Sequence, residues 1–533
     1  MKLTQLALAL SLVALPLSAQ NLLHQPTSAS VPTAMPADVL NRIDDPFFRI
    51  VIEADPQPTT LNDLVGTLLE GGRSDFQSFV VGEQIGRSET VTECGPSNRR
   101  LVLSFIGTHG PSNTVLDGNI FFSMFMSPNG PAGDIEVMAW DQTNGTYNYY
   151  KIEGGTWRFR NHSSDLETAT EAQLSDGCLA CHVNGGPVMK EFTFPWNHWH
   201  GLPNTFEAPY LAPGGSSWPV ANTGLLGQRM VGAQVLESTI QSSTQRFLNG
   251  IVQDRIETAA DGGVMVDGLP DLLDSLFQPT ELNLGSSNIK SGLDGGGLTQ
   301  PTVGRMNIPD SFFLNIFQMR DIDLPVFAGL GLVTQVFTPG DLGVSLTEYE
   351  TLLADTGTQT ACMPGRDTMF AWFGPEPSEF DRRMVERLNK RGIIDDGFVA
   401  AVLAVDLEEP LFSADRAGLL AHVPQSVTAP SRGQLPDALR AAVTESLTSL
   451  TERSEAEQDF LEMLQSPDPV TELDSRVRDY LARTQSLLAD PATRETHLRD
   501  LYAKLQANRA AFASSPVSAA LNEFPGLLPL TAN

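Results

Sequence analysis

DIEVMAWDQTNGTYNYYKIEGGTWRFR, residues 134–160, is the stretch whose pattern settles the fold class. Ile135, Val137 and Ala139 alternate with Glu136, Met138 and Trp140, the period-two rhythm of a strand with two different faces. Asn144-Gly145 and Gly154-Gly155 interrupt the pattern where positive backbone dihedrals are cheap, so strands over 134–140, 146–152 and 156–160 are joined by tight reversals. Working outward, 101–106 and 120–126 carry the same aromatic and β-branched enrichment, and 76–81 is a further candidate strand. Consecutive strands with short connections make an antiparallel meander. With the helical patterns described below, the expected class is α+β, a β-meander domain followed by largely α-helical regions.

The meander leads through 161–177 into Cys178-Leu179-Ala180-Cys181-His182, a CxxCH arrangement. In such a motif two thiols add across the vinyl groups of a haem and the histidine offers a ring nitrogen to the iron. Two intervening residues bring both sulfurs to one side of a single helical turn, and the next position turns the imidazole toward the metal. With 4 cysteines and 8 histidines in 533 residues, chance would produce the pattern in roughly one such sequence in two thousand, so coincidence is set aside. A structural zinc site needs four ligands, and Cys94 and Cys362 stand far apart as single residues. The expectation is one covalent haem c, bound by Cys178, Cys181 and His182, with His182 as proximal iron ligand.

The N-terminus supports that chemistry. Lys2, an apolar run over 6–15 and Leu17-Ser18-Ala19 read as a secretory signal over 1–19, cleaved near Ala19. The run is too short for a membrane anchor, and no later stretch is long and apolar enough to span a bilayer. Covalent attachment of this kind takes place outside the bacterial cytoplasm, so the mature chain is expected to be periplasmic or secreted. In an oxidising compartment Cys94 and Cys362 could pair, which sequence leaves open.

Composition narrows the partners. The 64 acidic residues against 34 basic ones give a net charge of −30, which repels nucleic acid and anionic lipid. A basic redox partner protein would suit this balance, although a solubilising surface is the plainer account of it.

Residues 101–185, with YYKIEGGTWRF at 149–159 ahead of a single CxxCH, resemble the cytochrome c′-beta fold and its lysine-crosslinked, hydroxylamine-oxidising relatives. The resemblance covers under a fifth of the chain. It implies a haem lying against an antiparallel sheet, ligated by His182, with an open face for a small nitrogen or oxygen species. In the crosslinked relatives a lysine is bonded to the porphyrin, which makes Lys151 a candidate. Read from its own surroundings, Lys151 is a solvent-facing strand lysine.

The sixth iron position has several local candidates: His198, His200, Met189 and His162. Met189 lies only seven residues past His182, which demands a nearly extended path around the porphyrin edge, so the two later histidines rank above it. Trp196 and Trp199 read as packing around the haem, and Arg158 and Arg160 put one basic face on their strand that could meet haem propionates. Gly185-Gly186-Pro187 should stop the attachment helix.

The remaining organisation is read as a mixed segment over 20–100, with short helices at 37–49 and 60–69, a β-rich haem domain over 101–205, a mostly helical domain with long loops over 206–429, and a helical region over 430–533. Apolar stripes mark the helices: Leu236, Ile240, Phe247 and Ile251; 311–319; Phe380, Met384 and Leu388; Phe398, Val402 and Val405; Leu439, Val443, Leu447 and Leu450; Leu473, Val477 and Leu481; Leu498, Leu501, Leu505 and Phe512. An exported monohaem c-type cytochrome that transfers electrons needs a six-coordinate iron. A haem enzyme, peroxidase-like or oxidising a small nitrogen compound, needs a vacant face and a proton-handling group. A haem-based sensor or scaffold is the third reading.

Overall fold

The computed structural model describes residues 24–25, 33–73, 75–82, 99–107, 116–127, 130–162, 178, 182, 185–187, 227–231, 235–278, 282–285, 306–307, 336–337, 374–377, 379–408, 413–490, 492–493, 496–497 and 500. The separate candidate strand at 76–81 is realised as β3 (Asp75–Gly82) and joins the expected meander, which is present as β4 (Arg99–Ile106), β5 (Leu116–Ser127), β6 (Gly130–Asp141), β7 (Thr146–Glu153) and β8 (Thr156–His162), each strand antiparallel to the next. Two short strands, β1 (His24–Gln25) and β2 (Thr33–Ala34), extend the β8 edge, β1 running parallel to β8. Glu153 pairs with Thr156 across Gly154-Gly155, whose φ values of 58° and 79° make the primed reversal that suits the twist of a hairpin. Further on, β8 gains one residue: Tyr149 pairs with Asn161 and Tyr150 with Phe159, so Arg160 is a bulge.

Strand alternation gives this sheet two apolar faces, and each is covered. Leu103, Phe122, Val137, Tyr150 and Trp157 pack under the N-terminal segment, whose Phe47, Val51, Ile52, Leu64 and Leu68 complete one core. Phe79, Phe121, Met138, Trp140, Tyr147 and Tyr149 face the other way and join a second core built with the C-terminal helices. The chain is therefore layered: N-terminal helical turns, sheet, helices. This is the α+β class.

In the N-terminal layer the helix at 60–69 is realised as α2 (Leu61–Glu70), with the Thr60 side chain accepting from Asp63 N–H. The helix expected over 37–49 is different. It breaks into α1 (Ala37–Leu40) and a π-helical turn, Phe48–Ile52. Pro46 disfavours helical geometry at the residue before it, and Asp45 turns inward, its carboxylate accepting Phe48 N–H at 2.8 Å.

Asp45 is completely buried, and Asn148 Nδ2 donates to it at 2.7 Å while the Tyr150 hydroxyl makes a second bond to the same oxygen. Burial pushes its carboxyl up to about 6, against the opposing pull of the Tyr150, Asn148 and Phe48 hydrogen bonds, with the nearby Asp141 carboxylate adding to the rise. The native state thus binds this proton more tightly than the unfolded chain. The associated stability is fully present below the ordinary carboxylate pKa of 3.8 and is lost as pH rises through about 6. The loss is on the order of 3 kcal/mol by the free energy per pKa unit. Since many other carboxylates titrate in the same range, the check is a difference: unfolding midpoints of the native chain and Asp45→Asn between about pH 4 and 7. The gap between them should change steadily through that range, and a constant gap would refute the assignment.

On the opposite face lie α3 (Glu237–Asp254), α4 (Leu269–Phe277), α5 (Glu379–Lys390), α6 (Asp396–Ala404), α7 (Ala414–Gly418), α8 (Leu435–Thr448), α9 (Glu455–Gln465) and α10 (Pro469–Ala489). Most follow the expected stripes: Leu236, Ile240, Phe247, Phe380, Met384, Leu388, Leu439, Val443, Leu447, Leu473 and Val477 are buried. Helix α6 is buried from Phe398 to Ala404, as befits a helix apolar all round. Phe398, Phe277 and Phe460 meet there at 6.1–6.5 Å. Helix α9 was not expected, although Ser454 and Glu457 form a reciprocal capping box at its start. A single core runs from the sheet through α3 to α10, across the boundaries drawn at 205 and 429. The stretch 311–319 and the stripe Leu498, Leu501, Leu505 and Phe512 lie outside the described residues. Among the described residues no helix is long and apolar enough to cross a membrane.

Candidate haem-attachment site

The site is built on β7. Tyr147, Tyr149, Lys151 and Glu153 share the helix-facing side of this strand, because Asn148, Tyr150 and Ile152 turn toward the N-terminal layer. Cys178 and His182 lie against that helix-facing side. The His182 amide donates to the Cys178 carbonyl at 2.9 Å, a bond between residues four apart that ties the two together. Cys178 is half-buried against the main core.

A reversal follows immediately. Gly185 N–H returns to the His182 carbonyl at 2.7 Å, and Gly185 takes φ 68°, a conformation that costs an L side chain about 1–2 kcal/mol. The reversal brings the Gly186 carbonyl to 2.7 Å from His182 Nδ1. A carbonyl only accepts, so Nδ1 carries the proton and Nε2 is the basic ring nitrogen. Tyr149 donates its hydroxyl to the Gly185 carbonyl at 2.7 Å, with its ring centroid 5.3 Å from that of His182. Gly185, Gly186 and Pro187 are buried. A Cβ on Gly186 would stand 3.2 Å from Phe247 and 3.5 Å from Phe380, so α3 and α5 close on the turn from outside the sheet. The rings of Phe247 and Phe380 are the groups that a Cβ on Gly186 would meet first.

This donor arrangement fits a haem. A backbone bond ties Cys178 to His182, and the imidazole carries its proton on Nδ1, which leaves the lone pair on Nε2. Cys181 lies outside the described residues, as do Met189, His198, His200, Trp196, Trp199, Cys94 and Cys362. Among the described residues no cluster of three or more His, Cys, Asp or Glu could hold a metal ion.

His162 is described, and its position removes it from the candidates for the sixth ligand. Its Nδ1 lies 2.5 Å from Asn148 Oδ1 and its ring 4.6 Å from that of Phe159. Asn148 in turn reaches Asp45. His162 therefore belongs to the N-terminal face of the sheet, and the sheet stands between it and His182. Sequence proximity could not reveal this, because the bulge at Arg160 decides which way the end of β8 points.

A charged array continues the helix-facing side beyond Tyr149. Lys151 pairs across strands with Glu136 and Arg158 in register, its Nζ 3.5 Å from Asp134 and 3.8 Å from Glu136. Arg158 and Arg160 both reach Glu153, at 2.9 and 3.1 Å. Lys151 is thus tied into a cross-strand ion-pair array. Arg158 and Arg160 do share the face that carries His182, while Trp157 and Phe159 are buried in the opposite core. The contribution of Tyr149 escaped sequence reasoning; its only trace was a run of tyrosines at 147, 149 and 150 that had to serve both faces of one strand.

Comparison of the chain with protein-family models, with curated proteins and with solved structures finds no match.

Proposed function

We propose that this chain is an exported monohaem c-type cytochrome, holding one haem through Cys178 and Cys181 with His182 as an axial iron ligand, and passing single electrons to and from a redox partner protein. The observation that carries the reading is the His182 Nδ1–Gly186 carbonyl bond at 2.7 Å in a CxxCH turn, which leaves Nε2 as the nitrogen able to bind iron. When bound, the haem supplies reversible one-electron chemistry. The chain's own contribution is to hold the histidine, exclude water on the Tyr149 side with Phe247 and Phe380, and keep the site beside an antiparallel sheet. The N-terminal stretch that reads as a secretory signal supports a periplasmic or secreted location, and the net charge of −30 suits a basic partner.

A second reading, a haem enzyme acting on peroxide or a small nitrogen compound, draws on the array of Lys151, Glu136, Arg158, Arg160 and Glu153 along the same face. Ionisable groups beside a haem can hold and move protons. The experiment that tests both is the optical spectrum and intact mass of the exported chain. One covalent porphyrin and a low-spin ferrous form inert to carbon monoxide are expected for electron transfer. Rapid gas binding would move the assignment to catalysis or sensing. A colourless chain with two reactive thiols at 178 and 181 would remove the haem reading altogether.

A further inference from the structure

His182 is gripped from three directions, and one of the gripping groups is a side chain whose chemistry is specific. Tyr149 is 2% exposed, so its hydroxyl needs an acceptor within the protein, and it finds the Gly185 carbonyl at 2.7 Å. Gly185 and Gly186 are the two residues least able to hold a turn by their own conformational preference. The carbonyl that fixes the His182 tautomer belongs to the very next peptide, Gly186. Opposite, Phe247 and Phe380 press on Gly186 closely enough that no side chain fits there without displacement. The tyrosine ring also lies beside the imidazole, at 5.3 Å and 42°.

We infer that Tyr149 is the positioning residue for His182: its O–H···O=C bond to Gly185 tethers the turn, and the tethered turn presents the Gly186 carbonyl to Nδ1–H, which raises the donor strength of Nε2. The inference rests on the reading of His182 as an axial ligand and extends it to the control of that ligand. Released from its carbonyl, a neutral imidazole redistributes between its two tautomers, and the Nε2–H form has no lone pair to give.

The test separates the two claims by using the full chain in two states. In the first, the chain is made without haem, labelled with nitrogen-15 at histidine and studied at about pH 8, where histidine is neutral. The His182 signal is identified by its loss in His182→Gln. The native chain should show the Nδ1–H form. In Tyr149→Phe, which keeps the ring and removes the hydroxyl, the ratio of Nδ1–H to Nε2–H should fall at least about tenfold. Tyr147→Phe is the control, since Tyr147 lies on the same strand face and its hydroxyl bonds instead to the Gly118 carbonyl, at 3.1 Å. It should leave the ratio unchanged. In the second state, the exported haem-loaded chain should show a changed reduction potential for Tyr149→Phe and not for Tyr147→Phe. An unchanged tautomer ratio in Tyr149→Phe, or equal shifts in both variants, overturns the inference. A native chain that carries no haem overturns the ligand reading alone, because the tautomer result is obtained without haem.

Discussion

Cys178→Ser combined with Cys181→Ser is expected to yield an exported chain from which acidified organic solvent extracts every trace of porphyrin, whereas the native chain keeps its pigment. The reason is nucleophilicity: a serine hydroxyl does not add across a vinyl group under conditions where a thiolate does. His182 alone would leave the haem in reversible association. The single variants discriminate further. Each should retain one thioether and one intact vinyl, and the conjugated vinyl moves the visible band of the reduced pyridine adduct to longer wavelength than in the native chain. The effect on the fold itself should be small, since Cys178 is only half-buried at the edge of the main core. Loss of covalent pigment without loss of the unfolding transition is therefore the expected pair of observations. Pigment that survives extraction from the double variant would sink the attachment model.

Phe47→Ala is expected to be the most destabilising single truncation in the N-terminal layer. Phe47 is fully buried, with its ring 5.0 Å from Tyr150, 5.0 Å from Trp157 and 5.8 Å from Phe122. It is the side chain through which the π-helical turn enters the sheet. Removing a buried phenylalanine costs about 3–5 kcal/mol, and here the cavity opens beside Asp45, whose bonds to Tyr150 and Asn148 depend on the same seating. Urea unfolding of the native chain and the variant measures the loss. A difference below about 1 kcal/mol would mean that the N-terminal turns are not a structural layer of this protein.

Both expectations bear on how far the chain could be read before its fold was known. The five strands of the meander, and the separate candidate strand at 76–81, were visible because their alternation is a property of neighbours in sequence: Ile135, Val137 and Ala139 must share a face wherever the strand goes. Helices α3, α5, α6, α8 and α10 were visible for the same reason, their stripes being local. The break at Pro46 was missed because Asp45 follows a partner a hundred residues away rather than its helical neighbours: Asn148 and Tyr150 are 103 and 105 residues distant. Helix α9 was missed for a different reason. Its capping box at Ser454 and Glu457 was present, but its burial depends on Phe277 and Phe398 arriving from elsewhere.

The candidate site divides along the same line. The CxxCH spacing is local chemistry, so Cys178, Cys181 and His182 could be named from five consecutive residues. The one-residue bulge that sends His162 to the far side of the sheet, the Gly186 carbonyl that selects the His182 tautomer, and the hydroxyl of Tyr149 that tethers the turn could not. By itself the sequence determined the strands of the meander and most of the helices, and it nominated the residues proposed to hold a haem, because these follow from spacing along one chain. Only the tertiary structure decided which face of the sheet each ionisable group occupies and which groups grip His182. Those outcomes depend on register and on packing between segments far apart in the chain, where a shift of one residue reverses the face on which a side chain lies.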